Sequence, residues 1–376
     1  MRKIDQRKIE AVIFLSIFFV FFGYLGHIMG VKNLLSTIMT TAHDLLLNTV
    51  FYIMSITVLA GALGQLFIEF GVIRLFEVIL TPLIKPIFNL PGVASLGALM
   101  TFFSDNPAII SLAKDKHFSS YFKNYQLISL TNFGTAFGMG LIVLTFMIGR
   151  GFLNSAVIGF LGAIFGAMIS TRLMQFFIKD KELEISFDPQ TADENKISYK
   201  HEGNIMLRLL NSILDGGKLG VDIGLAIIPG VLIISSLVMI ITFGVKNPQL
   251  GYQGLPYEGV PILPQIASHF NPIFKFLFGF RSPEAVAFPI TSLGAVGAAL
   301  SLIPKFLERG IIGANDIAVF TAMGMCWSGF LSTHTAMLDS LKHRELISKA
   351  IISHTIGGIF AGVFAHYGYV IFMMMK

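Results

Sequence analysis

Residues 92–115 read GVASLGALMTFFSDNPAIISLAKD. A run of about 20 apolar residues is what a helix needs to cross a bilayer, but this one is interrupted near its middle by Ser104-Asp105-Asn106-Pro107. Proline favours the first position of a helix, and Ser, Asp or Asn the position before it. The spacing therefore predicts one half-helix ending near Ser104 and another beginning near Pro107. Halves of about ten residues, at about 1.5 Å each, cannot cross ~30 Å of hydrocarbon. We read the stretch as a re-entrant hairpin, which a membrane tolerates only where its free backbone faces protein or a water-filled cavity. A second interrupted stretch, 283–304, has its turn at Thr291-Ser292-Leu293-Gly294-Ala295-Val296-Gly297 and receives the same reading.

The surrounding composition fits that setting. Of 376 residues, 54% are hydrophobic and 13% charged, whereas a soluble domain carries roughly 25% charged residues. With a mean hydropathy of +0.74, a soluble enzyme is excluded. Uninterrupted apolar runs predict seven full crossings, at 11–30, 47–68, 125–148, 152–174, 221–243, 316–337 and 351–373. The first follows Arg2, Lys3, Arg7 and Lys8 but is too long for a cleaved leader and lacks a small-residue cleavage site, so it is read as a retained helix. The net charge of +5 reflects loop topology more than nucleic-acid binding. With the amino end inside and the carboxyl end outside, 19 of the 27 Lys and Arg residues fall on inner segments. Cys326 is the only cysteine, so no disulfide, CxxC pair or metal centre is expected, and no cofactor.

The charged stretch beginning at Lys179 reads as a cytosolic linker that divides the chain. We expect an amino-terminal helix and outer segment (1–46), a first unit (47–178), the linker (179–218) and a second unit (219–376), with an irregular loop at 247–261 rich in Gly and Pro. Pro82, Lys85 and Phe88 recur, at one constant spacing, as Pro272, Lys275 and Phe278, and the same spacing relates Thr101 to Thr291 and Thr131 to Thr321. Three crossings separate equivalent points, so the second copy is inverted. The expected fold is an all-α polytopic membrane protein of two inverted repeats with re-entrant hairpins plus one extra amino-terminal transmembrane helix. Repeats of this kind with broken helices place a binding site at their interface near the bilayer midplane, where one repeat rocks against the other.

The candidate site residues follow from that placement. A carboxylate at membrane depth costs about 2.5–3.5 kcal/mol on insertion scales and is a functional candidate by default. Asp105 is that residue, with Thr101, Ser104 and Asn106 around it and Thr291 and Ser292 at the second tip. Capping of the half-helix is the competing reading for Ser104, Asp105 and Asn106. Asn132 and Thr135 lie near Thr131 on the crossing after the first hairpin. Thr321, Cys326, Trp327 and Ser328 occupy the equivalent crossing of the second unit. Trp327 sits away from the interfacial belts where Trp gathers, positioned to stack on a planar ligand or to pack in the core. His334 is a candidate for ion coupling beside Asp105. Gly134, Gly138, Gly159, Gly162, Gly166, Gly357, Gly358 and Gly362 read as close helix packing. No P-loop, HExxH or GxSxG occurs.

At Ser104-Asp105-Asn106-Pro107, following the repeated order of crossing, hairpin and two crossings, residues 47–370 resemble the gate, or nucleoside-recognition, family of bacterial membrane proteins. That family is similar to the concentrative nucleoside transporters, whose first hairpin tip carries a polar-acidic-x-Pro motif, and is akin to the membrane part of ferrous iron transporters and to spore maturation proteins. The resemblance implies Ser104, Asp105 and Asn106 as substrate-side residues, with Thr291 and Ser292 at the second tip. It departs from the pattern in lacking an Asn-Glu pair in the second broken stretch, and no GTPase domain accompanies it. The expected function is a non-enzymatic secondary transporter or permease for a small polar solute, nucleoside-like, coupled to H⁺ or Na⁺. Its expected setting is the bacterial inner membrane, with lipid as its surround and room for a homo-oligomer. The competing classes are an intramembrane enzyme or flippase acting on a lipid-linked substrate, and a non-transporting scaffold.

Overall fold

In hydrocarbon every backbone N–H and C=O must be satisfied within the protein, so long apolar runs become helices. The computed structural model describes residues 3–179 and 203–376, and these are helical throughout apart from turns and loops. Six helices among the described residues are long and apolar enough to cross a membrane: Gln6–Met29, Val31–Glu69, Asn124–Gly149, Leu153–Ile178, Ile205–Thr242 and Arg344–Met375. The protein is an all-α polytopic membrane protein. The seventh expected crossing, 316–337, is two segments, Ala314–Cys326 and Phe330–Ser340.

Two expected unit boundaries, 46/47 and 218/219, fall inside helices. Residues 31–46, expected as an outer segment, are helical through Val31–Asp44 and continue by a π-helical turn, Leu45–Val50, into Phe51–Glu69. Their Thr and Asn residues lower the hydropathy, but no Gly or Pro lies between Val31 and Ala60 to stop the helix. The linker also ends earlier than expected. Asn204 accepts the Leu207 N–H and caps Ile205–Ala226, so residues 205–218 are helix. Residues 180–202 of the expected linker lie outside the described residues.

The glycines of 216–220 are packing surface. A Cβ on Gly61 would lie 2.4 Å from Gly216 O, and one on Gly220 would lie 2.3 Å from Thr57 O. Phe51–Glu69 and Ile205–Ala226 thus meet backbone on backbone, closed at one end by Arg208 Nε on Glu69 Oε1 at 2.7 Å. Leu153–Ile178 and Ile347–Met375 meet the same way: Cβ atoms on Gly166 and Gly357 would each lie 2.7 Å from the other's carbonyl oxygen. Each pair joins a helix from before residue 179 to one from after it. A rigid movement of the first half against the second would have to separate both contacts.

The two halves share their order of elements. The spacing that relates the sequence repeats also separates the starts of Asn124–Thr135 and Ala314–Cys326, and those of Gly140–Gly149 and Phe330–Ser340. Val72–Phe88 corresponds to Ile262–Ser268 plus Asn271–Phe278, and each copy ends on a left-handed residue, Asn89 or Gly279. The loop 247–261 is irregular in path but well anchored. Asn33, Ser36 and Thr37 donate to the carbonyls of Tyr252, Gly254 and Leu255, and the Tyr257 hydroxyl donates to Asp44. Burial, and then the hydrogen bond to Asp44, hold the Tyr257 phenol above its ordinary pKa, which keeps it a donor.

Candidate functional site

Two helices are broken at equivalent places. Between Thr135 and Gly140 the chain passes through Met139 at φ +54°, and between Cys326 and Phe330 it passes through Gly329 at φ +58°. Glycine takes a left-handed conformation freely, while Met139 carries a cost of about 1–2 kcal/mol. Strain of this kind persists where surrounding structure enforces it and marks candidate sites. The first half-helix pair, Ala94–Phe103 and Pro107–Lys114, packs against both broken helices. Its two arms lie side by side, because a Cβ on Gly97 would lie 2.7 Å from Ile109 Cδ1. The Thr101 hydroxyl ties the first arm to the broken helix by donating to Gly134 O at 3.0 Å.

At the tip, Asn106 reaches both breaks. Its Nδ2 donates to Ser328 O in the second, while its Oδ1 sits where a Cβ on Gly138, in the first, would lie 2.0 Å away. Asn106 Oδ1 is buried and has no hydrogen-bond partner among the described residues. The Asp105 carboxylate accepts the Asn106 N–H at 2.7 Å, its one hydrogen bond among the described residues. Asn106, not Asp105, stands at the capping position of Pro107–Lys114, and no side chain caps that helix. The carboxylate is therefore not spent on the first turn. It is half-buried, as is Ser104, whose hydroxyl donates to Met100 O at 2.5 Å. Phe330–Ser340 packs beside Pro107–Lys114, and both present exposed polar residues: Ser332 and Thr335 on one, Ser111 on the other.

The second tip meets the same break. Ala287–Gly294 and Val296–Leu300 are separated by Ala295 alone. Gly329 N–H donates to Ser292 O at 3.3 Å. Ser328 and Gly329 are thus joined to one tip each: Ser328 through its carbonyl to Asn106, and Gly329 through its N–H to Ser292.

The other expected site residues divide by environment. Thr135, Thr291 and Ser292 are buried, and their hydroxyls donate to Thr131 O, Ala287 O and Pro289 O in their own helices. Asn132 is wholly buried, bound through Nδ2 to Ser170 Oγ and Ala350 O at 3.0 Å each, with Oδ1 unpartnered. Trp327 is packed, not open: a Cβ on Gly358 would lie 2.0 Å from its Nε1. His334 is fully buried, and among the described residues neither ring nitrogen has a well-aligned hydrogen-bond partner. Such unmet groups cost about 1–3 kcal/mol each. Sequence reasoning missed Gly138 and Met139 as a break, and Ser170 as a partner of Asn132. The flanking glycines in FGMG and WSGF, residues 137–140 and 327–330, were the available signal.

Gly138→Ala tests the junction. The new methyl displaces Asn106 Oδ1, and the tip must shift away from the break. Overpacking of this kind costs about 1–3 kcal/mol. We expect a lower unfolding temperature and loss of any ligand-induced thermal shift, whereas an unchanged shift would mean that the tip does not bear on binding.

Among solved structures, the chain is similar to CNTnw, a concentrative nucleoside transporter, in an inward-facing substrate-bound state. The TM-score is 0.56 and the identity 13%, over 98% of this chain and 87% of that one. A doubly substituted CNTnw in an outward-facing state scores 0.55 at 11% identity, over 99% of this chain and 88% of that one. At these identities the likeness is one of fold. No protein-family profile and no curated protein matches the chain.

Proposed function

We propose that the protein is a secondary-active transporter of a small polar solute, nucleoside-like, working by alternating access in the bacterial cytoplasmic membrane with its amino end inside. The carrying observation is that one helix break, Ser328-Gly329, is bonded to both half-helix tips, with the uncommitted Asp105 carboxylate beside the junction. We take the half-helix pairs to be re-entrant hairpins and the two halves to be inverted repeats. The single spacing shared by helix starts and left-handed caps supports that reading. Asp105 would accept hydrogen bonds from solute hydroxyls or bind H⁺ or Na⁺, Asn106 and Ser104 would orient the solute, and His334 is a second ion-coupling candidate. Because the tightest helix pairs cross between halves, access would change by movement of these mixed pairs relative to one another.

The deciding experiment is uptake of labelled uridine and adenosine into proteoliposomes under an imposed Na⁺ or H⁺ gradient. Gradient-dependent accumulation, with a thermal shift on the same nucleosides, is the expected result. No accumulation and no shift across nucleosides and nucleobases would remove the nucleoside assignment.

A further inference from the structure

We propose that His334 is a proton-binding site governing the helix break between Cys326 and Phe330, with His354 as the positioning residue that holds the break. The consequence for transport rests on the function proposed above; the device itself does not.

His354 lies on Ile347–Met375 and is wholly buried. Its Nε2 bonds the carbonyl of Cys326, the last residue of Ala314–Cys326. The final carbonyls of a helix lose their i+4 partners where the helix stops, so His354 supplies what the break removed. A carbonyl only accepts, which fixes the proton of His354 on Nε2. Nδ1 then accepts from the Ser170 hydroxyl at 3.0 Å, and Ser170 Oγ in turn accepts from Asn132 Nδ2 at 3.0 Å. Each step in this chain has one direction, and both nitrogens of His354 are committed.

His334 is set against this saturated pair. The two imidazole centroids are 4.6 Å apart at 71°, and Phe330 stacks on His354 at 4.9 Å. Among the described residues neither nitrogen of His334 has a well-aligned hydrogen-bond partner, the backbone of Phe330 one turn back being a weak one at most. Its helix neighbours include the buried apolar residues Phe330, Met337 and Leu338, so a residue needed only for volume would carry no polar atoms. Thr335, next to it in sequence, is exposed, as are Ser332 and Ala336, and this partly polar face of the half-helix is the route by which a proton would reach the ring. Phe330–Ser340 packs against Asn124–Thr135, Pro107–Lys114, Ala287–Gly294, the turn Arg344–Leu346 and Ile347–Met375. The ionisable groups on these elements are Tyr125; Lys114, with Asp105 ahead of its helix; Arg344 and Glu345; Lys349, His354, His366, Tyr367 and Tyr369; and Asp339 of its own helix. Asp339 pairs with Arg344, Lys349 lies by Phe177 O, and His354 is the group in ring contact with His334.

A proton taken from water makes both nitrogens of His334 donors. The charged ring is drawn to the carbonyl end of Ala314–Cys326, where the helix dipole is negative. There it competes with His354 for Cys326 O. The break loosens, and with it Ser328 and Gly329, which join the two tips. Returning the proton to water restores the lock.

The test is hydrogen–deuterium exchange of the full chain in lipid nanodiscs at about pH 8 and about pH 5.5, corrected for intrinsic exchange, following peptides across 324–332. We expect wild-type exchange there to rise about tenfold at the lower pH. His334→Phe and His334→Gln keep the protection and lose its pH dependence. His354→Phe loses protection at both pH values, and His354→Gln, which still donates to Cys326 O and accepts from Ser170, restores it. Glu345→Gln, at an exposed carboxylate beyond the half-helix, leaves the pH response intact. A pH-independent wild type, an unchanged response in both His334 variants, or a response abolished by Glu345→Gln would overturn the proposal. No solute enters the measurement, so failure of nucleoside uptake and failure of the pH-dependent exchange are told apart.

Discussion

Asp105→Ala lowers solute uptake into proteoliposomes by tenfold to a hundredfold while leaving the protein folded. The magnitude follows from the group's chemistry: a hydrogen bond to a charged partner is worth about 1.5–3 kcal/mol, and each 1.4 kcal/mol is about tenfold in an equilibrium. The survival of the fold follows from the geometry. Asp105 Oδ1 takes the N–H of the next residue and caps nothing further along, so the half-helix Pro107–Lys114 keeps its start from Pro107 and from the backbone of residues 105 and 106. Stability is therefore expected to stay within about 1 kcal/mol of wild type, as for a change away from capping and core. Asp105→Asn separates two roles. If the carboxylate carries the coupling ion, solute exchange under equal concentrations persists in Asp105→Asn while gradient-driven accumulation is lost. If it only binds solute, both fall together. Uptake and ion dependence unchanged in both variants would end the assignment of Asp105.

What can be read from sequence follows the reach of local chemistry. Ser104-Asp105-Asn106-Pro107 carries the signature of a helix start within the residues themselves, and the helix does begin at Pro107. The break at Met139 carries a weaker signature, the glycines on either side of it, because nothing in a methionine itself announces a left-handed backbone; the tip packs against Gly138 next to it. Val31–Asp44 escapes a hydropathy reading because hydropathy measures affinity for lipid, whereas helix continuity depends on the absence of a breaker. Its Asn33, Ser36 and Thr37 are spent on the loop 247–261, which comes from the other half of the chain. Separation in sequence also hides the Asn132, Ser170 and His354 chain, whose members come from three helices. Thr101, expected beside the solute, holds one helix to another. A hydroxyl's type is legible in sequence, but its partner is a property of the packed fold.

Gly220→Leu prevents assembly of the native protein, and Gly220→Ala weakens it, while Gly217→Ala is tolerated. In a bilayer, lipid competes on equal terms with apolar side chains, so helix association depends on close packing and small interfacial residues. A Cβ on Gly220 would lie 2.3 Å from Thr57 O and 2.4 Å from Val58 Cα. Both are backbone atoms with no rotamer to take up the strain, and the facing carbonyl of Gly220 accepts the Thr57 hydroxyl at 2.6 Å. Even alanine must separate Phe51–Glu69 from Ile205–Ala226, at about 1–3 kcal/mol, set against a gain of about 0.5–1 kcal/mol from replacing a helical glycine. Leucine exceeds that range, because its branch needs the space occupied by the opposite backbone. Gly217 lies on the same helix with the same propensity, but its nearest neighbour, Val58 Cγ1, would be 3.8 Å from a new Cβ, ordinary contact. There the propensity gain stands alone, and Gly217→Ala is expected to be neutral or slightly stabilising. Unfolding temperature and monodispersity in detergent measure the difference. If Gly220→Leu were as stable as Gly217→Ala, the two helices would not be in backbone contact, and crossed pairs would not be what locks the halves together.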